Sequence, residues 1–162
     1  MFKKNKSEKE ILTKKINDCP LFSELSGSEI KTLLGISHVR EYGTDEVVFN
    51  EGTVGLCFYI IVKGCVELGV MNGSSLSIMK TLKEGEYFSA VHLFSETNHT
   101  VSCVAKEVTK LLIFAKPDME ELINSNPKAG TKIVQSFLNF FGSEIQRMYA
   151  ENLEMKKRLF AE

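Results

Sequence analysis

The sequence predicts a mainly β domain with helices at both ends, the last of them long. Helical signals occupy the two ends of the chain, and strand signals fill the middle, from His38 to Ala115. There, short runs rich in Val, Ile and Phe are separated by Gly, Asn and Asp, as in an all-β sandwich or barrel. The 162 residues are enough for one domain with an apolar core and a helical extension.

Two capping-box patterns predict short helices near the N-terminus. Ser7 with Glu10 precedes the first apolar run, and Ser26 with Glu29 precedes the second. We expect the second helix to stop near Gly35, since glycine is common where helices end.

The clearest strand signal is a hairpin in the middle of the chain. Segments Cys65–Met71 and Ser74–Leu82 flank Asn72-Gly73, the dipeptide best suited to a type I′ turn. Glycines are expected at other turns between strands, where a positive φ is often needed, namely Gly43, Gly52, Gly55, Gly64 and Gly85.

Two further helices are predicted after the strands. Pro117 suits the first turn of a helix, and Asp118 next to it favours the helix dipole. After Pro127 a last helix can run unbroken to about Phe160, with Gly142 as its weak interior point.

Composition and charge favour a globular protein of the cytoplasm. The net charge is −1, which gives no sign of nucleic acid as a partner. No apolar run approaches the length that crosses a bilayer, and we expect no membrane contact. The four cysteines lie far apart without a Cys-x-x-Cys pair, so we expect small buried thiols in a reducing compartment and no metal site.

Several motifs are similar to one known family, in the same order along the chain. They are Pro20-Leu21-Phe22, Val48-Phe49-Asn50-Glu51-Gly52, Phe58 to Gly64, Leu82 to Phe88 and Leu111-Leu112-Ile113-Phe114. On these residues the chain resembles the cyclic nucleotide-binding domain superfamily, which includes catabolite-activator-type regulators, kinase regulatory subunits and gated channels. The resemblance implies a double-stranded β-helix (jelly roll) followed by a long C-terminal helix. It divides the chain into a helical extension (1–19), the jelly roll with short flanking helices (20–127) and a dimerisation helix (128–162).

The family's phosphate-binding cassette aligns without a gap, yet its key side chains differ. His99 stands in the place of the family's arginine, Ala90 in that of its glutamate and Ser89 in that of its glycine. A neutral imidazole cannot grip two phosphate oxygens as a guanidinium does. Each lost bond to a charged group is worth roughly 1.5–3 kcal/mol, so ordinary binding of cyclic AMP or cyclic GMP is not expected. The resemblance gives these candidate ligand-binding residues: Phe88, Ser89, Ala90, Val91, His99, Thr100 and Val101.

Other chemistry at this segment is less favoured. His92, His99 and Cys103 lack the spacing of a metal or haem site, and we expect His92 on the outer face of a short helix and Cys103 packed in a strand. With three histidines in all, the chain also lacks the ligand cluster of a metal-dependent cupin. No motif for nucleophilic catalysis or for nucleoside triphosphate binding occurs, so the prediction is a protein that is not an enzyme.

The last helix carries a heptad pattern. Leu138, Ile145, Asn152 and Leu159 repeat every seven residues, and a second seam alternates with them. The pattern predicts a homodimer, and Asn152 pairs best with its own copy in a parallel one. The alternative is an amphipathic helix folded back on its own domain. The predicted interface residues are Phe141, Ile145, Met148, Asn152, Met155 and Leu159.

These features predict a regulatory or sensor domain that signals through the dimer of its last helix. In one form of this prediction the domain binds another small anion, held by backbone N–H groups near Ser89 and by the Thr100 hydroxyl. In the other form it binds a protein partner. One alternative is a working cyclic nucleotide receptor. Another is a fragment of a Crp/Fnr-type transcription regulator, although no recognition helix or basic stripe precedes Glu162, and DNA binding is not expected.

Overall fold

A computed structural model describes residues 6–73 and 75–160, which form two antiparallel sheets between helical ends. Within these residues there are eight strands, and the sheet orders are β1-β8-β3-β6 and β2-β7-β4-β5. The strands are β1 His38–Tyr42, β2 Val47–Phe49, β3 Cys57–Lys63, β4 Cys65–Asn72, β5 Ser75–Lys83, β6 Tyr87–Phe88, β7 Ser102–Ala105 and β8 Thr109–Ala115. The helices are α1 Lys6–Asp18, a 3-10 turn Pro20–Phe22, α2 Gly27–Ile36, the cassette helix Ala90–Leu93 (a 3-10 helix), α3 Lys116–Ser125 and α4 Pro127–Phe160. This arrangement confirms the predicted jelly roll with its long final helix.

Strand β3 separates the two halves of the core. Successive side chains of a strand point to opposite faces. Phe58 and Ile60 therefore face the helices, whereas Tyr59 and Ile61 face the second sheet. Both faces are covered, which explains why β3 is apolar along nearly its whole length.

Aromatic side chains attach α4 to the helical face of the first sheet. Phe22, Phe58 and Phe137 lie with ring centroids 5.9–6.0 Å apart, and all three are buried. Aromatic pairs at such distances add to the stabilisation that burial provides. The base of α4 is thus fixed in the core by its own sequence.

A second link between α4 and the N-terminal helices is electrostatic. The capping box of α2 is confirmed, since Ser26 Oγ accepts a hydrogen bond from the Glu29 backbone N–H while the Glu29 carboxylate accepts one from the Ser26 N–H. The same carboxylate lies 2.8 Å from Lys132 Nζ on α4. The hydrogen bond from Lys132, followed by that from the Ser26 backbone, lowers the pKa of Glu29 to about 2.

Two local predictions are wrong by a small shift. Ser7 lies inside α1, which already includes Lys6, so it is not the residue that precedes the helix. In the hairpin, Asn72 pairs with Ser75 and is the last residue of β4, so of the predicted Asn72-Gly73 turn only Gly73 lies beyond the strand. Ser74, the predicted start of the second strand, lies outside the described residues.

The turn glycines divide into two groups. Gly52, Gly64 and Gly85 have the expected positive φ, whereas Gly43 and Gly55 do not. At Gly55 the reason for a glycine is space, because a Cβ there would overlap the imidazole of His92.

The four cysteines, all within the described residues, are free. Cys19 and Cys103 are buried, and burial raises the pKa of each thiol to about 12. Cys57 and Cys65 are only partly buried, so the expectation of buried thiols holds for two of the four.

Phe137 and Phe160 provide a test of how α4 is anchored. Phe137→Ala is expected to lower the free energy of unfolding by about 3–5 kcal/mol, because its ring is 1% exposed within the core. Phe160→Ala removes the same ring from a site that is 86% exposed and should change stability by less than about 0.5 kcal/mol. Urea unfolding followed by circular dichroism measures both, and equal losses would contradict this packing.

Candidate ligand-binding cassette

The cassette segment runs from the end of β6 to the start of β7. After Phe88 the chain turns at Ser89, forms the cassette helix and returns through residues 95–101. The return is held by backbone hydrogen bonds to the loop 52–55: the Gly52 N–H donates to the His99 carbonyl at 2.8 Å, and the His99 N–H donates to the Thr53 carbonyl at 2.8 Å. These bonds fix the position of His99.

Ser89 adopts a backbone conformation that favours glycine. Its φ is +62° and its ψ +25°, in the left-handed region that costs an L-residue about 1–2 kcal/mol. The Ser89 side chain makes no capping hydrogen bond to the cassette helix, contrary to what a serine before a helix suggests.

The imidazole of His99 lies flat against Phe49 inside the sandwich. The two ring centroids are 3.6 Å apart and the ring planes differ by 7°. Phe49 in turn contacts the rings of Tyr59 and Phe88, which stack on each other at 4.8 Å. The rings of His92 and His99 meet at a steep angle, with their centroids 4.3 Å apart and their planes at 69°. We call these five side chains the ring cluster; they connect the cassette with strands of both sheets.

Burial keeps the two histidines of the ring cluster neutral. Each is 6% exposed. Desolvation, followed by the charge of the neighbouring His92, lowers the pKa of His99 to about 4. Desolvation also lowers the pKa of His92, against a hydrogen bond that its ring N–H donates to the Thr97 backbone and that raises the pKa. At neutral pH the place of the family's arginine therefore carries no positive charge.

The remaining predicted site residues differ in burial. Phe88 joins the ring cluster, and Ala90 is buried in the core next to the helices. Val91 and Thr100 are exposed, and Val101 is half-buried. The seven residues share one segment, and their role in binding a ligand stays a prediction.

The prediction for His92 is wrong, and the contact between His99 and Phe49 was not predicted. The His92 ring is buried, not on the outer face of the cassette helix. Phe49 stacks on His99 and contacts Tyr59, whereas Gly55 lies against His92. The burial of Cys103 in β7 is confirmed. Among the described residues, no three His, Cys, Asp or Glu side chains are grouped as metal ligands.

The second half of α4 exposes an apolar surface. Of the predicted interface residues, Ile145, Met148, Asn152, Met155 and Leu159 are all exposed. Phe141 differs, because it is half-buried against Phe137 and Phe140 of its own chain. The apolar surface is also wider than the predicted seam, since Tyr149, Leu153 and Phe160 are exposed as well.

In residues 6–73 and 75–160, no helix has an apolar stretch that could cross a bilayer.

The burial of neutral His99 predicts a dependence of stability on pH. The unfolded chain binds a proton near pH 6.5, whereas folded His99 does so only near pH 4. The free energy of unfolding should therefore fall as the pH drops from 6.5 towards 4, by up to about 1.4 kcal/mol per pH unit for this proton. His99→Leu should flatten the slope between pH 6.5 and 5 in urea titrations; an unchanged slope would contradict the assignment.

Known proteins that are similar in sequence belong to a family with this fold. A family model described as "Cyclic nucleotide-binding domain" matches residues 39–126, more than half of the chain. Over 110 residues the chain is 28% identical to a cAMP-dependent protein kinase regulatory subunit of Schizosaccharomyces pombe, covering 68% of this chain and 26% of that protein. Over 109 residues it is 30% identical to the Cyclic AMP receptor protein of Thermus thermophilus, covering 67% and 50%. The chain thus spans about a quarter of the length of the kinase regulatory subunit and about half of the length of the Cyclic AMP receptor protein.

Solved structures give the same result. The Catabolite Activator Protein of Thermus thermophilus superposes with a TM-score of 0.70 at 25% identity, covering 82% of this chain and 61% of that one. The sensor domain of the transcriptional regulator DNR from Pseudomonas aeruginosa gives a TM-score of 0.72 at 19% identity, covering 88% and 93%. The chain belongs to the cyclic nucleotide-binding domain family.

Proposed function

We propose that the chain is a non-enzymatic regulatory domain that signals through a dimer of α4 and does not bind cyclic AMP or cyclic GMP in the usual way of its family. The observation that carries the proposal is the buried, neutral His99 stacked on Phe49 in the place of the family's arginine. The four free thiols suit the cytoplasm, where we place the domain.

The charges around the cassette argue against a phosphodiester ligand. Residues 88–101 contain no lysine or arginine, and Glu96 is their only carboxylate. Glu96 lies 3.5 Å from Lys116, which partly neutralises that lysine. A buried phosphate without a cation would lose its hydration without compensation. Ala90 in addition offers no acceptor for a sugar hydroxyl.

The alternative is a cyclic nucleotide receptor in which protonated His99 binds the phosphate. The burial of His99 argues directly against it. Protonation near neutral pH would require a raised pKa, whereas burial lowers it to about 4. The charge would also lie against His92 and replace a stacked neutral ring. A nucleotide would have to reverse each of these effects on binding.

The exposed part of α4 supports a parallel homodimer. Ile145, Met148 and Met155 are each more than half exposed, and another copy of the same helix would cover them. Glu151 of one helix is spaced to meet Lys156 of the other across a parallel pair. Like sequence positions would also bring the two Asn152 side chains together.

A sensor part of a larger Crp/Fnr-type regulator is a second candidate. The alignment with the Cyclic AMP receptor protein of Thermus thermophilus covers only 50% of that protein, so its other half has no counterpart in this alignment. The two candidates share the cassette and the α4 dimer and differ in what the dimer controls.

Isothermal titration calorimetry with cyclic AMP and cyclic GMP tests the cassette. We expect no heat of binding at micromolar nucleotide, because both the fixed cation and the sugar acceptor are missing. The Thermus thermophilus Cyclic AMP receptor protein, titrated with cyclic AMP alongside, shows whether the ligand and conditions are sound. Micromolar affinity of this chain would contradict the proposal.

Light scattering coupled to size exclusion tests the dimer. The wild-type protein should elute with the mass of two chains. Ile145→Glu should give monomers, because it places two like charges in the seam. Gln146→Glu adds the same charge at the next residue, away from the seam, and should remain dimeric. A monomeric wild-type protein, or a dimeric Ile145→Glu variant, would refute the α4 interface.

A further inference from the structure

The cassette helix turns the polar ring of His92 inward together with its apolar side chains. His92 is 6% and Leu93 1% exposed, whereas Val91 is 45% exposed. Burying a polar ring in so short a helix requires space and partners on the inner side, and both are present.

Three segments of the chain meet on the imidazole of His92. The loop 52–55 approaches it at Gly55, where any Cβ would overlap the ring. The return segment supplies Thr97, whose Oγ1 lies 3.4 Å from His92 Nδ1. It also supplies His99, whose ring centroid is 4.3 Å away. The His92 ring therefore occupies the junction of the cassette helix, the return segment and the loop.

The same helix is attached to α4. Leu93 is fully buried in the core, and the ring centroid of Phe94 lies 5.0 Å from that of Phe137. Phe137 is one of the rings that anchor α4. A shift of the cassette helix would therefore change the contact between Phe94 and Phe137 at the base of α4.

We propose that His92 is a positioning residue whose ring acts as an internal occupant of the cassette, holding the cassette helix against α4 without any small molecule. The proposal rests on the proposed function, in which cyclic nucleotide does not fill this segment. It adds that a side chain of the protein itself, and not a bound ligand, keeps the cassette helix in contact with α4. The position of α4 relative to the cassette is therefore held in one state.

Hydrogen exchange of His92→Ala tests the proposal. The substitution leaves a hole the size of an imidazole, lined by Gly55, Thr97 and His99. Backbone amides of residues 90–94 and 137–141 should exchange about tenfold faster or more, since removing a buried ring costs at least about 1.4 kcal/mol and each such step is tenfold. Free imidazole at millimolar concentration should restore protection in both segments. His38→Ala, which removes an exposed imidazole from β1, should change neither segment.

A double-mutant cycle tests the contact at Gly55 separately. Gly55→Ala should lower the melting temperature of the wild-type protein, because the new methyl group collides with His92. In the His92→Ala background the same substitution should have little effect. Gly43→Ala is the matched control, since its Cβ would meet only Glu46 at 3.8 Å.

The outcomes separate this proposal from the proposed function. Unchanged exchange in His92→Ala, a loss that imidazole does not reverse, or additive effects of the Gly55 and His92 substitutions would each overturn the role of His92. None of these results depends on cyclic nucleotide. Binding of cyclic nucleotide by the wild-type protein would instead overturn the proposed function.

Discussion

The cassette depends on one contact, the flat stacking of the His99 imidazole on Phe49. Two rings at this distance exclude water from between them, and burial lowers the pKa of the His99 imidazole to about 4, which favours its neutral form. At the position where the resemblance puts the family's arginine, His99 is thus part of the buried interior. Phe49 belongs to the second sheet and contacts Phe88 and Tyr59 of the first, so the ring cluster reaches from one sheet to the other.

The scaffold around this contact is independent of it. Strand β3 is buried on both faces, and Phe22, Phe58 and Phe137 fix α4 on the helical side of the first sheet. The family architecture can therefore persist while the cassette changes its chemistry. What the architecture still provides is a connection from the cassette helix through Phe94 to α4.

Features that depend on local chemistry were predictable from the sequence. The Ser26–Glu29 capping box, the bounds of α4 and the apolar run of β3 follow from hydrogen-bonding capacity and periodicity. The hairpin was placed correctly but its turn was shifted by one residue, because a single glycine fits either register.

The interior of the cassette was not predictable in the same way. The inward direction of His92 depends on the space left by Gly55, which is distant in sequence and has no helical or strand pattern to reveal it. Phe49 was recognised as part of a motif, yet its contact with His99 arises from the pairing of loop 52–55 with the return segment. Phe141 was predicted as an interface residue of the dimer, whereas its ring contacts Phe137 and Phe140 of its own chain.

A crystal structure of the chain, purified without added ligand, would show directly what lies beside His99. We expect continuous density for the imidazole of His99 lying parallel to the ring of Phe49, with the ring of His92 at a steep angle to it and no further molecule between the cassette and the sheets. Density for a nucleotide in that space, with His99 turned away from Phe49, would contradict it.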